Sequence, residues 1–260
     1  MSRVFNDTTN LDGLVQKYEE EIGANLGDIS GNTTKLKQFT SKTRSAWDTY
    51  LTIAIQASGR HQFDDSGYTD YPFIETDLVA NQRDYTVLTD DNNALVLDIF
   101  KVMVKDSSGV YFEATPIDQQ LRGEGVSIWD GQDTTGTPQE YDKTGNGIIF
   151  DVLPDYSWRN DTEGEYGIKL FVNREANYFT FSDTTTKPGC PGIHHDYFYL
   201  KPAMEYARSN GLANYNQLRD AVFEFEGDEE RGIQGKIAKY FAKRSRDERS
   251  IMRPKKINYI

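Results

Sequence analysis

At 260 residues, 37% hydrophobic and 13% aromatic, the chain is long enough and apolar enough to bury a real core, which excludes a disordered protein. A single cysteine excludes an intrachain disulfide framework and every paired-cysteine zinc motif. A formal net charge of -12 argues against nucleic-acid binding by the surface as a whole, because phosphate contacts need clustered Lys and Arg.

The elements follow in chain order. After Thr8, Thr9 and Asn10, apolar residues at Leu11, Leu14, Val15, Tyr18 and Ile22 keep close to a 3.6-residue period and predict a helix. "GANLGDISGN" breaks it. A second, longer helix follows, with Leu36, Phe39, Trp47, Tyr50, Leu51, Ala54 and Ile55 along one side and Ser58-Gly59 at its end. Residues 68–186 read as β. "FIETDLVANQRDYTVL" gives two short strands around an Asn-Gln turn. "ALVLDIFKVMVKDSSGVYFEATPID" gives a strand with Leu97, Ile99, Lys101/Val102 and Val104 in mixed alternation, a Ser-Ser-Gly turn and a partner strand. "NGIIFDVLP" and "YGIKLFVNREANYFTF" supply more strands. The Gly-, Asp- and Thr-rich stretch 123–147 is expected to be a long exposed loop.

Helix then returns over 195–210 (Tyr197, Leu200, Met204, Ala207), with Pro202 kinking it or delaying its start, over 213–225 (Leu218, Ala221, Val222, Phe225) and over 228–243 (Ile233, Ile237, Tyr240). The pattern predicts an α+β protein. N- and C-terminal helices, 1–67 and 191–245, form one bundle around an inserted antiparallel β-sandwich or barrel, 68–190. An extended basic tail, 246–260, follows.

The sequence offers several places to look for chemistry. "PGCPGIHHDYF" holds Cys190, His194, His195 and Asp196, all residue types that bind zinc. Adjacent histidines diverge on a helix or a strand, so at most one could join Cys190, and the paired prolines and glycines suit a stiff turn into a helix. The expectation is a turn with hydrogen-bonded histidines, neither metal-binding nor catalytic. "YDKTGNG" resembles the aspartyl-phosphate motif of ion pumps, but Asp142 follows the polar "TGTPQEY" rather than a buried apolar strand, so it reads as a turn. "DDSGYTDYP" and "TDDNNA" are acidic without the ligand spacing of an EF-hand loop. No P-loop or dinucleotide fingerprint is present. No cofactor and no enzymatic activity are expected.

The charge is unevenly spread. Residues 236–260 hold nine basic and two acidic residues, a net of +7, which leaves -19 on residues 1–235. The tail mixes Arg246, Arg249, Arg253, Lys255 and Lys256 with Ile251, Met252, Ile257, Tyr259 and Ile260. That composition suits a docking peptide, with apolar anchors for affinity and charge for steering.

From "YPFIETDLVANQRDYTVLTDDNNALVLDIFKVMVKDSSGVYFEATPIDQQ" through "IIFDVLPDY", "KLFVNREANYFTF" and "DTTTKPGCPGIHHDYFYLKPAMEYA", the chain resembles a family of tailed-bacteriophage virion proteins of the head–tail junction. The resemblance runs from Tyr71 to Ala207 and rests on loose, structural motifs, among them a Pro-Gly-x-Pro-x-x-x-His segment leading into a helix. It implies a head-to-tail connector, or adaptor. Such a protein is a helical bundle decorated by a β module and forms a ring, usually of twelve copies, under the portal. Its C-terminal segment reaches the portal protein, and tail or further connector proteins join below. Double-stranded DNA passes through the lumen without specific binding. The location implied is the virion, assembled in the host cytoplasm, with no membrane partner. The 123–147 stretch departs from the family pattern. Two rival readings stay open. One is a carbohydrate- or receptor-binding module using Trp129 and Trp158 as sugar platforms. The other is a glycoside hydrolase with a carboxylate pair hidden among 41 acidic residues.

Overall fold

A computed structural model describes residues 3–59, 73–90, 93–118, 134–159, 165–228 and 232–248. The chain is a mixed α+β protein. It divides into two compact units, Met1–Gly67 with Ala176–Ile260, and Tyr68–Glu175. Residues 176–190, expected in the β module, therefore go with the helices.

The first unit contains five α-helices among the described residues: α1 (Leu14–Glu21), α2 (Thr33–Ser58), α3 (Tyr197–Asn210), α4 (Tyr215–Glu226) and α5 (Lys236–Glu248). α2 packs on α3 and α5, α3 on α1 and α4, and α4 on α5, so helices from both ends of the chain close around one core. That core is strongly aromatic. Phe5, Phe39, Trp47, Tyr50, Tyr197 and Phe198 are all at most 1% exposed, and Phe241 is 2% exposed. Trp47 and Phe198 lie 4.4 Å apart between ring centres. Full burial of such a side chain contributes about 1.5–3 kcal/mol.

The helix ends follow from local chemistry. Asn32 caps α2 by accepting from the Thr34 and Lys35 amides at 3.1 Å each, and Gly59 ends it in the left-handed conformation at φ 76°. α1 starts later than its apolar period suggests. Asp7 takes the Thr9 and Asn10 amides into its own turn, Leu11 turns left-handed at φ 58° and stays 47% exposed, and Gly13 precedes the helix. Pro202 sits inside α3 without breaking it. The loop between α1 and α2 is held from below by Glu19. Its fully buried carboxylate accepts from the amides of Ile29 and Ser30 at 2.7 Å, of Gly27 at 3.2 Å and from the Ser30 hydroxyl at 3.1 Å.

The expected helix over 228–243 is corrected. Gly227–Asp228 (β10) and Ile233–Gln234 (β11) pair antiparallel, and α5 begins only at Lys236. A Cβ on Gly227 would stand 2.5 Å from the Ile233 carbonyl oxygen, so the two backbones meet where only glycine fits. α5 then runs through Arg246 to Glu248, residues expected to begin the extended tail.

The second unit is built on strands β1 (Phe73–Thr76), β2 (Asp84–Thr86), β3 (Val96–Lys105), β4 (Tyr111–Pro116), β6 (Glu140–Thr144), β7 (Gly147–Phe150) and β9 (Ile168–Arg174), in the sheet order β1-β9-β3-β4-β6-β7-β2. The short strands β5 (Thr135–Gly136) and β8 (Leu153–Pro154) pair apart from it. The β3–β4 hairpin forms around the Ser-Ser-Gly turn. The other sheet expectations are corrected in three places. β1 and β2 flank the Asn-Gln turn but become opposite edges of the sheet, because Asn81 turns left-handed and its amide bonds the Pro154 carbonyl. β4 and β6 pair parallel, as do β5 and β8, so the strands are not purely antiparallel. The described part of 123–147 is no loop: it carries β5 and β6, and Tyr141 is 1% exposed.

Along β3 the buried phase changes, from Ile99 to Val102 and Val104, where the register against β9 slips between Ile99 and Lys101. One extra residue in a strand moves the following side chains to the other face. A separate shift, between Val96 and Asp98, falls at Leu97 itself, which is 51% exposed. Residues from every strand of the sheet meet in one cluster that includes Ile74, Tyr85, Val102, Ala114, Tyr141, Ile148 and Leu170. The sheet therefore curls around its own core. β1 and β9, the first and last strands, pair with Phe73 opposite Phe171, so the chain enters and leaves this unit side by side.

Replacing Glu19 by Ala is expected to cost about 3 kcal/mol, because the Ile29 and Ser30 amides lose a charged acceptor. Urea denaturation measures the loss, and hydrogen exchange should show it concentrated in residues 24–32.

Candidate functional site

The Pro-Gly-Cys-Pro-Gly segment turns the chain into a short 3-10 helix, Gly192–His194, and α3 follows directly. The two histidines diverge. His194 enters the aromatic core at 1% exposure, with Nδ1 2.8 Å from the Tyr50 hydroxyl and its ring edge-on to Tyr240 at 5.2 Å. The Cys190 thiol also hydrogen-bonds the Tyr50 hydroxyl. Nε2 of His194 has no partner among the described residues.

His195 faces the chain's start instead. Its Nδ1 accepts from the Arg3 amide at 2.9 Å, which puts its proton on Nε2, and Nε2 donates to the Cys190 carbonyl at 3.0 Å. The Arg3 side chain then reaches Asp196 at 2.7 Å and also pairs with Asp12. Among the described residues, no group of three or more His, Cys, Asp or Glu is placed to hold a metal ion.

Burial, reinforced by repulsion from His195, lowers the His194 pKa from 6.5 to about 4, and burial lowers that of His195 in the same direction. Burial pushes the Tyr50 phenol well above its ordinary value, with the Cys190 thiol adding to the effect. Both histidines are thus neutral at pH 7, and the turn joins α2, α3, α5 and the N-terminal segment.

A groove of about 490 Å³ is lined by Ser45, Asp48, Thr49, Thr52, Ile53, Gln56, Glu226 and Gly227. Of these, Glu226 accepts from the Tyr197 hydroxyl at 2.7 Å and pairs with Lys201 at 2.7 Å. Burial, and then the Glu226 charge, raise the Tyr197 pKa, so this phenol is a hydrogen-bond donor rather than a base.

The remaining candidates separate clearly. Of the docking tail, only the backbone of Arg246 is described, in α5, while Arg249, Ile251, Met252, Arg253, Lys255, Lys256, Ile257, Tyr259 and Ile260 lie outside the described residues. "DDSGYTDYP" and Trp129 lie outside them as well. "YDKTGNG" is the β6–β7 hairpin, and Asp142 accepts from the Lys143 amide there. In "TDDNNA", Asp90 is turned inward, with one oxygen on the Ala94 amide at 2.8 Å and the other on Arg174 at 2.7 Å.

Trp158 is half-buried and held by its neighbours. Its indole N–H donates to the Asp106 carbonyl at 2.8 Å, the Lys105 ammonium lies 4.7 Å from its ring, and Gly109 presses so close that a Cβ would stand 3.1 Å from it.

The sequence reading passed over α2. No acidic residue occurs between Asp28 and Asp48, while Lys35, Lys37, Lys42 and Arg44 all fall there. That gap was the available signal.

No protein-family model matches the chain, and a search of curated proteins finds no match.

Because the native His194 binds a proton less readily than the unfolded one, stability is full above pH 6.5 and falls toward pH 4. The loss in that window is about 3 kcal/mol, measurable by urea denaturation, and His194→Phe should flatten the slope. Trp158→Ala should lower stability by about 2–3 kcal/mol through lost packing, read by thermal melting without any ligand.

Proposed function

We propose that the chain is a non-enzymatic structural subunit of a phage head-to-tail connector, docking under a portal and joining capsid to tail. In this reading the first unit is the helical bundle of a ring, usually of twelve copies, and the second is its inserted β-sandwich or barrel-like module. The observation that carries the proposal is the chain order. Helices from the two ends share one core around an inserted β unit, and a basic, apolar-studded segment follows the last helix. The sequence resemblance over Tyr71 to Ala207 supports the same reading. Further support comes from the neutral, hydrogen-bonded state of the His194–His195 turn, which suits scaffold rather than turnover.

The C-terminal segment supplies the grip on the portal, with Ile251, Met252, Ile257, Tyr259 and Ile260 as anchors and Arg249, Arg253, Lys255 and Lys256 as steering charges. Arg246 belongs to the helix that presents them. Tail or further connector proteins bind below the ring, and DNA passes through without specific contacts. The setting is the virion, assembled in the host cytoplasm. Among the described residues no helix is long and apolar enough to cross a membrane.

The test is removal of residues 249–260, which leaves α5 whole. Mixed with the portal protein of the same particle, the full chain should co-sediment as a ring-sized assembly and the shortened chain should not, while keeping its melting temperature. Normal portal joining by the shortened chain would overturn the role given to the tail.

A further inference from the structure

We infer that the N-terminal half of α2 is a docking face for a second copy of this chain, which it meets through that copy's acidic β unit. The inference rests on the ring reading above and names the surface that such a ring would use.

The two units differ sharply in charge. Tyr68–Glu175 holds 21 acidic and 8 basic residues, a net of -13, whereas the first unit holds 20 acidic and 21 basic, a net of +1. Most of the net negative charge therefore lies in the inserted unit; residues 236–260 contribute +7 to the first unit and its remainder -6, with cations in excess only at particular places.

α2 is one of those places. Leu36, Phe39, Thr43, Ala46, Trp47 and Tyr50 define its buried side. Gln38, Ser41 and Ser45 lie exposed on the opposite side. Lys35 and Lys42, two turns apart, fall along one edge of that exposed strip, and Lys37 and Arg44, also two turns apart, along the other. None of the four forms an ion pair among the described residues. Three are steadied over rings instead: Lys37 lies 4.6 Å from the Phe181 ring centre, Arg44 4.2 Å from Tyr178 and Lys42 5.6 Å from Tyr206. The rings pre-order these cations, and Asp48, one turn from Arg44, accepts from the Tyr178 hydroxyl rather than forming an ion pair with Arg44.

Local physics disfavours the arrangement. Lys35 stands in the first turn of α2, where the helix dipole favours acidic residues and none is present. A rule broken locally without local compensation marks a surface that works against something else. The small side chains of Ser41 and Ser45 let a flat surface approach between the two charged edges.

The strongest negative field on offer is the β unit of another copy. Docking the basic face of one copy on the β unit of the next uses two different surfaces, so it propagates head to tail and closes into a ring when the rotation permits.

The experiment uses the full chain as an equal mixture of 15N-labelled and unlabelled protein, treated at low salt and high concentration with a zero-length carbodiimide cross-linker. Links of mixed isotope from Lys35, Lys37 or Lys42 to acidic residues of 68–175 are expected. In sedimentation, Arg44→Glu or Lys35→Glu should weaken self-association about three- to tenfold. Arg208→Glu, an equal charge change on α3, should not. Links confined to one isotope, no links from these lysines, or equal loss in Arg208→Glu would each overturn the inference. So would binding of a random-sequence DNA duplex that Arg44→Glu abolishes. Self-association through this face by a chain that joins no portal keeps the inference and removes the connector reading. Portal joining without these links does the reverse.

Discussion

The first unit depends on one constraint: segments far apart in sequence have to share a single aromatic core. Tyr50 meets His194, and the Arg3 amide meets His195, across separations of 144 and 192 residues. Closing such loops costs entropy, although the cost grows only slowly with length. Dense burial around Trp47, Tyr50 and Phe198 offsets it, and the histidine turn fixes the register of the pieces. The pairing of β1 with β9 eases the same problem from the other side, because it returns the chain close to where it left.

Charge is sorted along similar lines. Buried charges are paired or cradled: Arg174 with Asp90, and Glu19 within its ring of amides. Cations on α2 are held over rings without an ion pair among the described residues. The two units hold nearly equal numbers of acidic residues, 21 and 20, but the β unit has few cations to balance them, and some cations of the helical unit have no ion-pair partner among the described residues. Such a distribution matters little for folding, since exposed pairs contribute at most about 1 kcal/mol each. Its effect is on what the surface attracts.

Much of this was legible in the sequence, and the reasons for the rest are physical. The apolar period of α2, its Asn32 and Gly59 ends and the β3–β4 hairpin need only local rules, and local rules found them. The failures came where a neighbour decides. Leu11 looked helical, but Asp7 claimed the amides that would have begun the helix. Leu97 looked like core, but a slip against β9 moved it outward. β1 and β2 flank one Asn-Gln turn as expected, but Asn81 and Pro154 send them to opposite edges, which the sequence does not announce. At the candidate site, the divergence of His194 and His195 followed from geometry alone. The partners, Tyr50 and the Arg3 amide, could not be read because nothing local announces a contact so distant. Glu19 gave no signal either, since a buried carboxylate and a solvated one look alike in "YEEE".

Order of synthesis gives the shared core a further meaning. A ribosome releases α1 and α2 first, then the whole β unit, and only then α3, α4 and α5, whose Tyr197, Phe198 and Phe241 complete the packing of Tyr50. The β unit can finish folding during translation, while the first two helices wait with Trp47 and Tyr50 uncovered. The nascent chain therefore passes through a long interval with a sticky aromatic face, when a chaperone, or a scaffold already under assembly, has its best opportunity to hold it.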